Sequence, residues 1–202
     1  MNLINPNALI EKMEGVVEIK SYLNKIKIIK NLYLKGANTA SEICNEVGIS
    51  LPTVNSLLTD LMSSGEVIKH GRAESQGGRK PDLYRLAEDA FYVLSVDLSK
   101  FNMNVGLYSC NHTLAVAKES HKIVLDNEKE TFDKICDIID HYLAKTGIES
   151  DKIIAIGISM PGLVDSIGGI NYTYFRFGKK SLLENFESRF QKKIFMESGF
   201  KV

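Results

Sequence analysis

Apolar and polar positions alternate with helical spacing three times in the first third of the chain. The first segment, 23–34, ends at Lys35-Gly36, where a basic last turn and a glycine indicate a helix C-terminus. A shorter segment lies at 39–47, and Leu51 to Ser63 forms the third. The side chains expected inside are Leu23, Ile26, Ile28 or Ile29, Leu32 and Tyr33 in the first helix, Ala40, Ile43 and Val47 in the second, and Leu51, Val54, Leu57, Leu58 and Leu61 in the third.

The segment Gly48-Ile49-Ser50 joins the second and third helices through a sharp turn, and we expect the Ser50 hydroxyl to cap the third helix. That helix leaves small side chains outward, which suit the floor of a DNA major groove. A helix pair that only packs, or that contacts another protein, is the alternative. The candidate DNA-contacting residues are Ser50, Pro52, Thr53, Asn55, Ser56 and Thr59, with Asn55 the best candidate for a bidentate adenine contact.

Two alternating segments, 65–70 and 82–86, flank a polar, glycine-rich loop, and this pattern predicts a β-wing. Two adjacent glycines allow close backbone approach, and Pro81 stiffens the exit from the loop. We expect Arg79 to enter a narrow minor groove while the third helix lies in the major groove. A solvated turn is the alternative interpretation. The wing residues assigned to DNA contact are Arg72, Gln76, Gly77, Gly78, Arg79 and Lys80.

From about residue 90 the pattern changes to strands that alternate with helices. Strands are predicted at 91–97, 104–108, 114–118, 153–159 and 193–197, and helices at 129–146 and 181–190. The order β-β-β-α-β-α-β predicts a mixed sheet flanked by helices, an α/β layer architecture. The longer helix is expected to bury Phe132, Ile135, Ile138, Ile139, Tyr142 and Leu143.

Formal net charge is zero over 202 residues, which taken alone argues against a nucleic-acid partner. The balance is uneven, however, because residues 1–86 hold eleven Lys and Arg against nine Asp and Glu. Local clustering governs contact with phosphates more than whole-chain charge does. The basic residues that gather around the wing are Lys69, Arg72, Arg79, Lys80 and Arg85.

Other classes of protein are disfavoured by composition. The three cysteines and four histidines are scattered without ligand spacing, so we expect neither a disulfide framework nor a metal site. No apolar run approaches the roughly 18 residues that span a bilayer, and the N-terminus lacks the features of a signal peptide. We therefore expect a cytoplasmic protein with no membrane partner.

Two strand ends carry candidate ligand chemistry. Asp97 ends a strand, but Ser99, Lys100 and Phe101 follow where a phosphate cradle needs glycines, so a capping role is favoured. Pro161-Gly162 turns sharply after the strand 153–159, where α/β sheets place small-molecule sites. A plain Pro-Gly turn explains the second site equally well.

These segments together resemble the ROK family (repressors, open reading frames and kinases) from about Lys25 onward. The matching segments are Ser50–Leu58, Glu74–Pro81, Val93–Asp97, Ile156–Asp165 and Gly168–Ile170. The resemblance implies a lead-in at 1–22, a winged helix–turn–helix at 23–88, and one lobe of an actin-like (ribonuclease H-like) ATPase fold at 90–202. Because repressors of this family carry the DNA-binding module and kinases lack it, it also implies a repressor of carbohydrate-use genes. We expect a homodimer on double-stranded operator DNA, with a sugar as effector.

The departures from the family pattern concern catalysis. Family kinases have an Asp-x-Gly-Gly-Thr phosphate loop, of which only Asp97 is present, and Glu197-Ser198-Gly199 stands where a Glu-Asn-Asp triplet carries the catalytic base. The resemblance therefore implies no enzyme activity, no cofactor and no catalytic residues, with Pro161 and Gly162 as a remnant of the sugar site. We expect the chain to end after the first lobe, as a short regulator or as a truncated remnant that only binds DNA. A ROK sugar kinase is the disfavoured alternative.

Overall fold

The computed structural model describes residue 13 and residues 15–73, 80–177 and 179–199. The chain divides into two compact units, Met1–Phe91 and Tyr92–Val202, beside the change of pattern near residue 90. In the described part of the chain, no helix combines the length and apolar character needed to cross a membrane. The same part holds no group of three or more His, Cys, Asp or Glu side chains arranged to bind a metal ion.

The first unit contains three helices and a small antiparallel sheet. The helices are α1 (Val16–Lys35), α2 (Ala40–Val47) and α3 (Leu51–Ser63). The strands are β1 (Asn38–Thr39), β2 (Val67–Arg72) and β3 (Asp82–Leu86), in the order β1-β3-β2. The short strand β1 was not predicted, and α1 begins seven residues before the predicted start of the first helix. Residues 16–22 are therefore helical, and the expectation of a separate lead-in is wrong for them.

The buried face of α1 differs from the predicted one. Leu23 and Tyr33 are exposed, whereas Asn24 and Asn31 are buried. Asn31 lies inside because its amide group has two partners there. Its Nδ2 donates to Glu46 Oε2 of α2 (2.6 Å), and its Oδ1 accepts from Asn38 Nδ2 of β1 (3.1 Å). A buried amide is tolerated when it is hydrogen-bonded, so these contacts let α1 turn a polar residue inward.

The second unit is a five-stranded mixed sheet with two helices, as predicted. Its strands are β4 (Tyr92–Leu98), β5 (Asn102–Ser109), β6 (Leu114–Lys122), β7 (Ile153–Met160) and β10 (Lys193–Ser198), in the order β10-β7-β4-β5-β6. The helices are α4 (Lys129–Thr146) and α5 (Leu182–Phe190). Strands β4, β7 and β10 run parallel, and β4, β5 and β6 form an antiparallel meander. A short hairpin that was not predicted, β8 (Val164–Asp165) with β9 (Ile170–Asn171), follows β7.

Helices α4 and α5 share one apolar core with the sheet. The rings of Phe132 and Phe186 lie 4.8 Å apart, and Arg189 of α5 forms ion pairs with Asp137 and Asp140 of α4. The predicted stripe of α4 is confirmed at Phe132, Ile135, Ile139 and Tyr142, whereas Ile138 and Leu143 are only partly buried. Cys136, which was not in the predicted stripe, is buried, and this burial raises the pKa of its thiol to about 12.

Tyr142 places its hydroxyl group at an irregular stretch of the β5–β6 ladder. The register shifts on both sides of Leu107, and at each shift β6 has one residue more than β5. The Leu107 N–H donates to the Tyr142 hydroxyl (3.1 Å), which in turn donates toward the carbonyls of Val116 (3.3 Å) and Ala117 (3.2 Å). The phenol therefore satisfies backbone groups that the bulged ladder leaves without strand partners.

Replacing Tyr142 with Phe should lower the free energy of unfolding by about 1–3 kcal/mol, because a buried backbone N–H loses its acceptor. Urea unfolding followed by circular dichroism measures the change. Tyr172→Phe is the matched control, since Tyr172 is exposed, and it should alter stability by no more than about 0.5 kcal/mol. Equal stability of the two variants would show that the hydroxyl of Tyr142 contributes nothing to this sheet.

Candidate nucleic-acid interface

Helix α2, which leads into the turn before α3, is capped at both ends. Thr39 caps the helix, with its Oγ1 accepting from Glu42 N (3.3 Å), while Glu42 Oε2 accepts from Thr39 N (2.7 Å). The backbone N–H of Thr39 is the main reason that the pKa of Glu42 lies below its ordinary value. At the other end, Gly48 adopts a left-handed conformation (φ 68°), and its N–H bonds to Cys44 O (3.1 Å).

Helix α3 buries one face and exposes the other. Val54, Leu57, Leu58 and Leu61 are buried, as predicted, but Leu51 is 40% exposed. Leu51 is the first residue of the helix. All of the helix residues assigned to DNA contact are exposed: Pro52, Thr53, Asn55, Ser56 and Thr59. The structure therefore presents these five side chains together on one surface.

Three hydroxyl groups on this surface make local hydrogen bonds. Ser50 Oγ lies 2.8 Å from Thr53 Oγ1, and Thr59 Oγ1 donates to Asn55 O (3.0 Å). Ser50 occupies the N-cap position but makes no side-chain bond to a backbone N–H, so the predicted capping bond is wrong. The Thr53 hydroxyl, one turn into the helix, is close enough to pair with Ser50 instead. Hydroxyls held in this way retain lone pairs that can accept from a base or a nearby donor.

The strands β2 and β3 form the base of the predicted wing. Their register shifts between Lys69 and Arg72, around Gly71 with its positive φ of 88°. The N–H of Ala73 donates to Pro81 O (2.9 Å), which closes the base. Asp82 pairs with both Lys69 (2.7 Å) and Arg72 (3.9 Å), and its hydrogen bond to Lys69 raises the pKa of that ammonium group.

The tip of the predicted wing, including Gln76, Gly77, Gly78 and Arg79, lies outside the described residues. Lys80 and Arg72, which flank that segment, are both exposed. The structure thus places two of the assigned wing cations at the surface of the first unit. The DNA contacts proposed for the wing remain predictions.

The turn after Asp97 forms a hydrogen-bonded connection between β4 and β5. The N–H of Ser99 donates to Asn102 O (2.8 Å), and the Ser99 hydroxyl accepts from Asn102 N (3.1 Å). The carbonyls of Lys100 and Phe101 accept from Leu125 N and Ile123 N. A phosphate cradle needs backbone N–H groups directed at the anion, whereas the Ser99 and Asn102 N–H groups are both used within this turn.

The Pro161-Gly162 turn depends on a buried side chain that was not among the predicted site residues. Asn171, only 1% exposed, donates to Pro161 O (2.9 Å) and accepts from Thr173 N (2.9 Å) and Tyr174 N (3.1 Å). Gly162 has a φ of 100°, and a Cβ there would lie 2.7 Å from Thr173 Cβ. These residues build a rigid turn after β7. An Asn beside Gly168-Gly169 was the available signal, since Asn readily bonds to nearby backbone groups.

The family model for winged helix-turn-helix DNA-binding domains matches residues 23–67 of the chain. The chain is 23% identical to the xylose repressor of Bacillus spizizenii over 177 residues, which cover 87% of the chain and 46% of that repressor. It is 24% identical to the xylose repressor of Bacillus subtilis over 151 residues, 75% of the chain and 39% of that protein. The chain thus spans less than half the length of the curated relatives it matches.

The fold matches a crystal structure of a ROK family transcriptional regulator, a homologue of the E. coli Mlc protein. The alignment has a TM-score of 0.64 at 16% identity, and it covers 89% of this chain and 46% of that one. The resemblance to the ROK family is confirmed. In this chain a winged helix–turn–helix precedes an α/β unit, so the predicted fold class is also confirmed.

Replacing Thr39 with Ala should lower the free energy of unfolding of the first unit by about 1 kcal/mol, because α2 loses its N-cap acceptor. Ser41→Ala, an exposed neighbour in α2, is the matched control.

The lowered pKa of Glu42 means that its contribution to stability is present above its unfolded pKa and is lost as pH falls through its folded pKa. Glu42→Gln should therefore weaken the acid dependence of stability, measured by urea unfolding from neutral pH downward. An acid dependence equal to that of the wild type would contradict this role.

Proposed function

We propose that this chain binds double-stranded operator DNA through α3 and the β2–β3 wing and represses genes of carbohydrate use. The observation that carries the proposal is the surface of α3, where small, mostly polar side chains are exposed opposite a buried apolar stripe. Such a helix fits the major groove and reads base edges from its N-terminal half. The match to winged helix-turn-helix DNA-binding domains supports the same conclusion.

Each part of the interface has a distinct role in this proposal. The Asn55 amide both donates and accepts hydrogen bonds and therefore suits an adenine edge, while Thr53, Ser56 and Thr59 contact neighbouring bases or phosphates. The wing supplies the positive charge that α3 lacks. Its exposed cations, Arg72 and Lys80, neutralise backbone phosphates. Arg79 extends into the minor groove, with Gln76, Gly77 and Gly78 as further contacts near it.

The regulatory part of the proposal rests on the relatives. Two of them are xylose repressors, so the chain would respond to a sugar, with the Pro161-Gly162 turn and its Asn171 support as part of the effector site. A homodimer would match a palindromic operator, since a two-fold protein presents two recognition helices to two half-sites. A repressor of this kind works in the cytoplasm, where the DNA is.

Replacing Arg79 with Ala should weaken operator binding and reduce the dependence of log K on log salt by about one unit, because one cation that displaces counterions from the DNA is lost. Fluorescence-anisotropy titrations at two ionic strengths, with duplexes from around the chain's own gene, measure both effects. Arg72→Ala should behave in the same way. Arg176→Ala, an exposed cation of the second unit, is the matched control and should leave the slope unchanged. A slope for Arg79→Ala equal to that of the wild type would remove the wing from the interface.

The proposal includes the absence of sugar-kinase activity. The residues that follow Asp97 form a turn whose Ser99 N–H is already bonded to Asn102 O, and Phe101 is exposed where kinases of the family have glycines or threonine. Asp97 itself is exposed and accepts a long hydrogen bond from Asn104 Nδ2 (3.4 Å). This arrangement offers an anion few backbone donors.

A coupled assay of ADP release with ATP and a panel of hexoses and xylose should therefore show no turnover above the sugar-free rate. A known hexokinase in the same assay is the positive control. Robust sugar-dependent turnover would overturn the interpretation of Ser99 to Phe101 as a structural turn and would favour the kinase alternative.

A further inference from the structure

Asp60 is the only charged residue among the thirteen residues of α3. It is acidic, although this helix is proposed to lie against a polyanion. Its side chain is 51% exposed, so it is not hidden in the core. An exposed acid on a recognition helix repels phosphates, and this repulsion acts over roughly the 8–10 Å Debye length at physiological salt.

The position of Asp60 brings it close to the proposed contacts. Residues three or four apart on a helix are neighbours on its surface, so Thr53, Ser56 and Asp60 form one row along the exposed side of α3. At a rise of about 1.5 Å per residue, Asp60 lies roughly 6 Å along the axis from Ser56. An uncompensated charge at this place acts on whatever phosphates lie beside Ser56.

Lys25 of α1 compensates that charge. Its Nζ lies 2.9 Å from Asp60 Oδ2, and the Lys25 side chain is 25% exposed, about half the value for Asp60. The neighbouring lysine of the same helix, Lys27, is exposed and has no ion pair within the described residues. Lys25 is thus directed along the protein surface toward α3, while Lys27 extends into solvent.

We propose that Lys25 is a positioning residue for DNA recognition, which acts by neutralising Asp60 and so lets α3 approach the phosphate backbone. This inference rests on the proposed DNA binding. It adds the residue that allows a helix with an acidic side chain to bind DNA. Lys25 acts through Asp60 and makes no phosphate contact of its own. The removal of Asp60 should then make Lys25 dispensable for binding.

The test compares the full-length variants Lys25→Ala, Lys27→Ala and Lys25→Ala/Asp60→Asn with the wild type, by anisotropy on the duplex that the wild type prefers. Lys25→Ala should weaken binding about fivefold, in line with the worth of an exposed ion pair. Lys27→Ala removes the same charge two residues away and should change affinity less than about twofold. The double variant should return to the affinity of the wild type, although the ion pair is still absent.

Each other outcome overturns the inference. Equal losses for Lys25→Ala and Lys27→Ala would mean that only total charge matters. Failure of Asp60→Asn to restore binding would mean that Lys25 holds α3 in place mechanically, and thermal unfolding of each variant would show the accompanying loss of stability. No loss for Lys25→Ala would mean that Asp60 is remote from DNA. If the wild type itself binds no duplex, the proposed function fails instead.

Discussion

Burial of Val54, Leu57, Leu58 and Leu61 fixes the rotation of α3, and the proposed interface depends on that rotation. Each of these side chains gains about 1.5–3 kcal/mol when it leaves water, so turning the helix outward would expose several at once. Because the helical period leaves the remaining positions no other direction, Asn55, Ser56 and Thr59 must lie at the surface. Core packing and the choice of the residues proposed to face DNA are therefore one constraint.

This constraint also explains which parts of the first unit the sequence could predict. The stripe of α3 is apolar at consecutive helical turns, and apart from Leu51 at the first position the pattern predicted both its inner and outer faces. The pattern failed for α1 because Asn31 is held inside by Glu46 and Asn38, partners on other elements that helical spacing alone does not reveal. The Ser50 cap failed for a similar reason, since the Thr53 hydroxyl competes for the same oxygen. Specific polar pairings explain these two errors.

In the second unit, too, the apolar stripe was predictable and the specific polar contacts were not. The bounds of α4 agree with the predicted 129–146, since a strong apolar stripe ends at Gly147, which adopts a left-handed conformation. The irregular backbone around it was not predictable. Tyr142 supplies the partners for a bulge, and Asn171 supplies those for the turn at Pro161. Tyr142 was assigned to the apolar stripe, and its hydroxyl bonds depend on strand register, which periodicity does not specify.

In the first unit, basic residues gather at the wing, whereas α3, which is proposed to read the base sequence, is nearly neutral. In the wing base, Lys69 and Arg72 share Asp82, and the one acid of α3 is paired with Lys25. The surface that would read bases is therefore nearly neutral, and the attraction to phosphate lies beside it. A neutral reading helix avoids strong binding to arbitrary sequences, because non-specific affinity comes almost wholly from phosphate contacts. A protein with zero net charge can in this way still recognise DNA, provided that its basic residues are gathered at the wing.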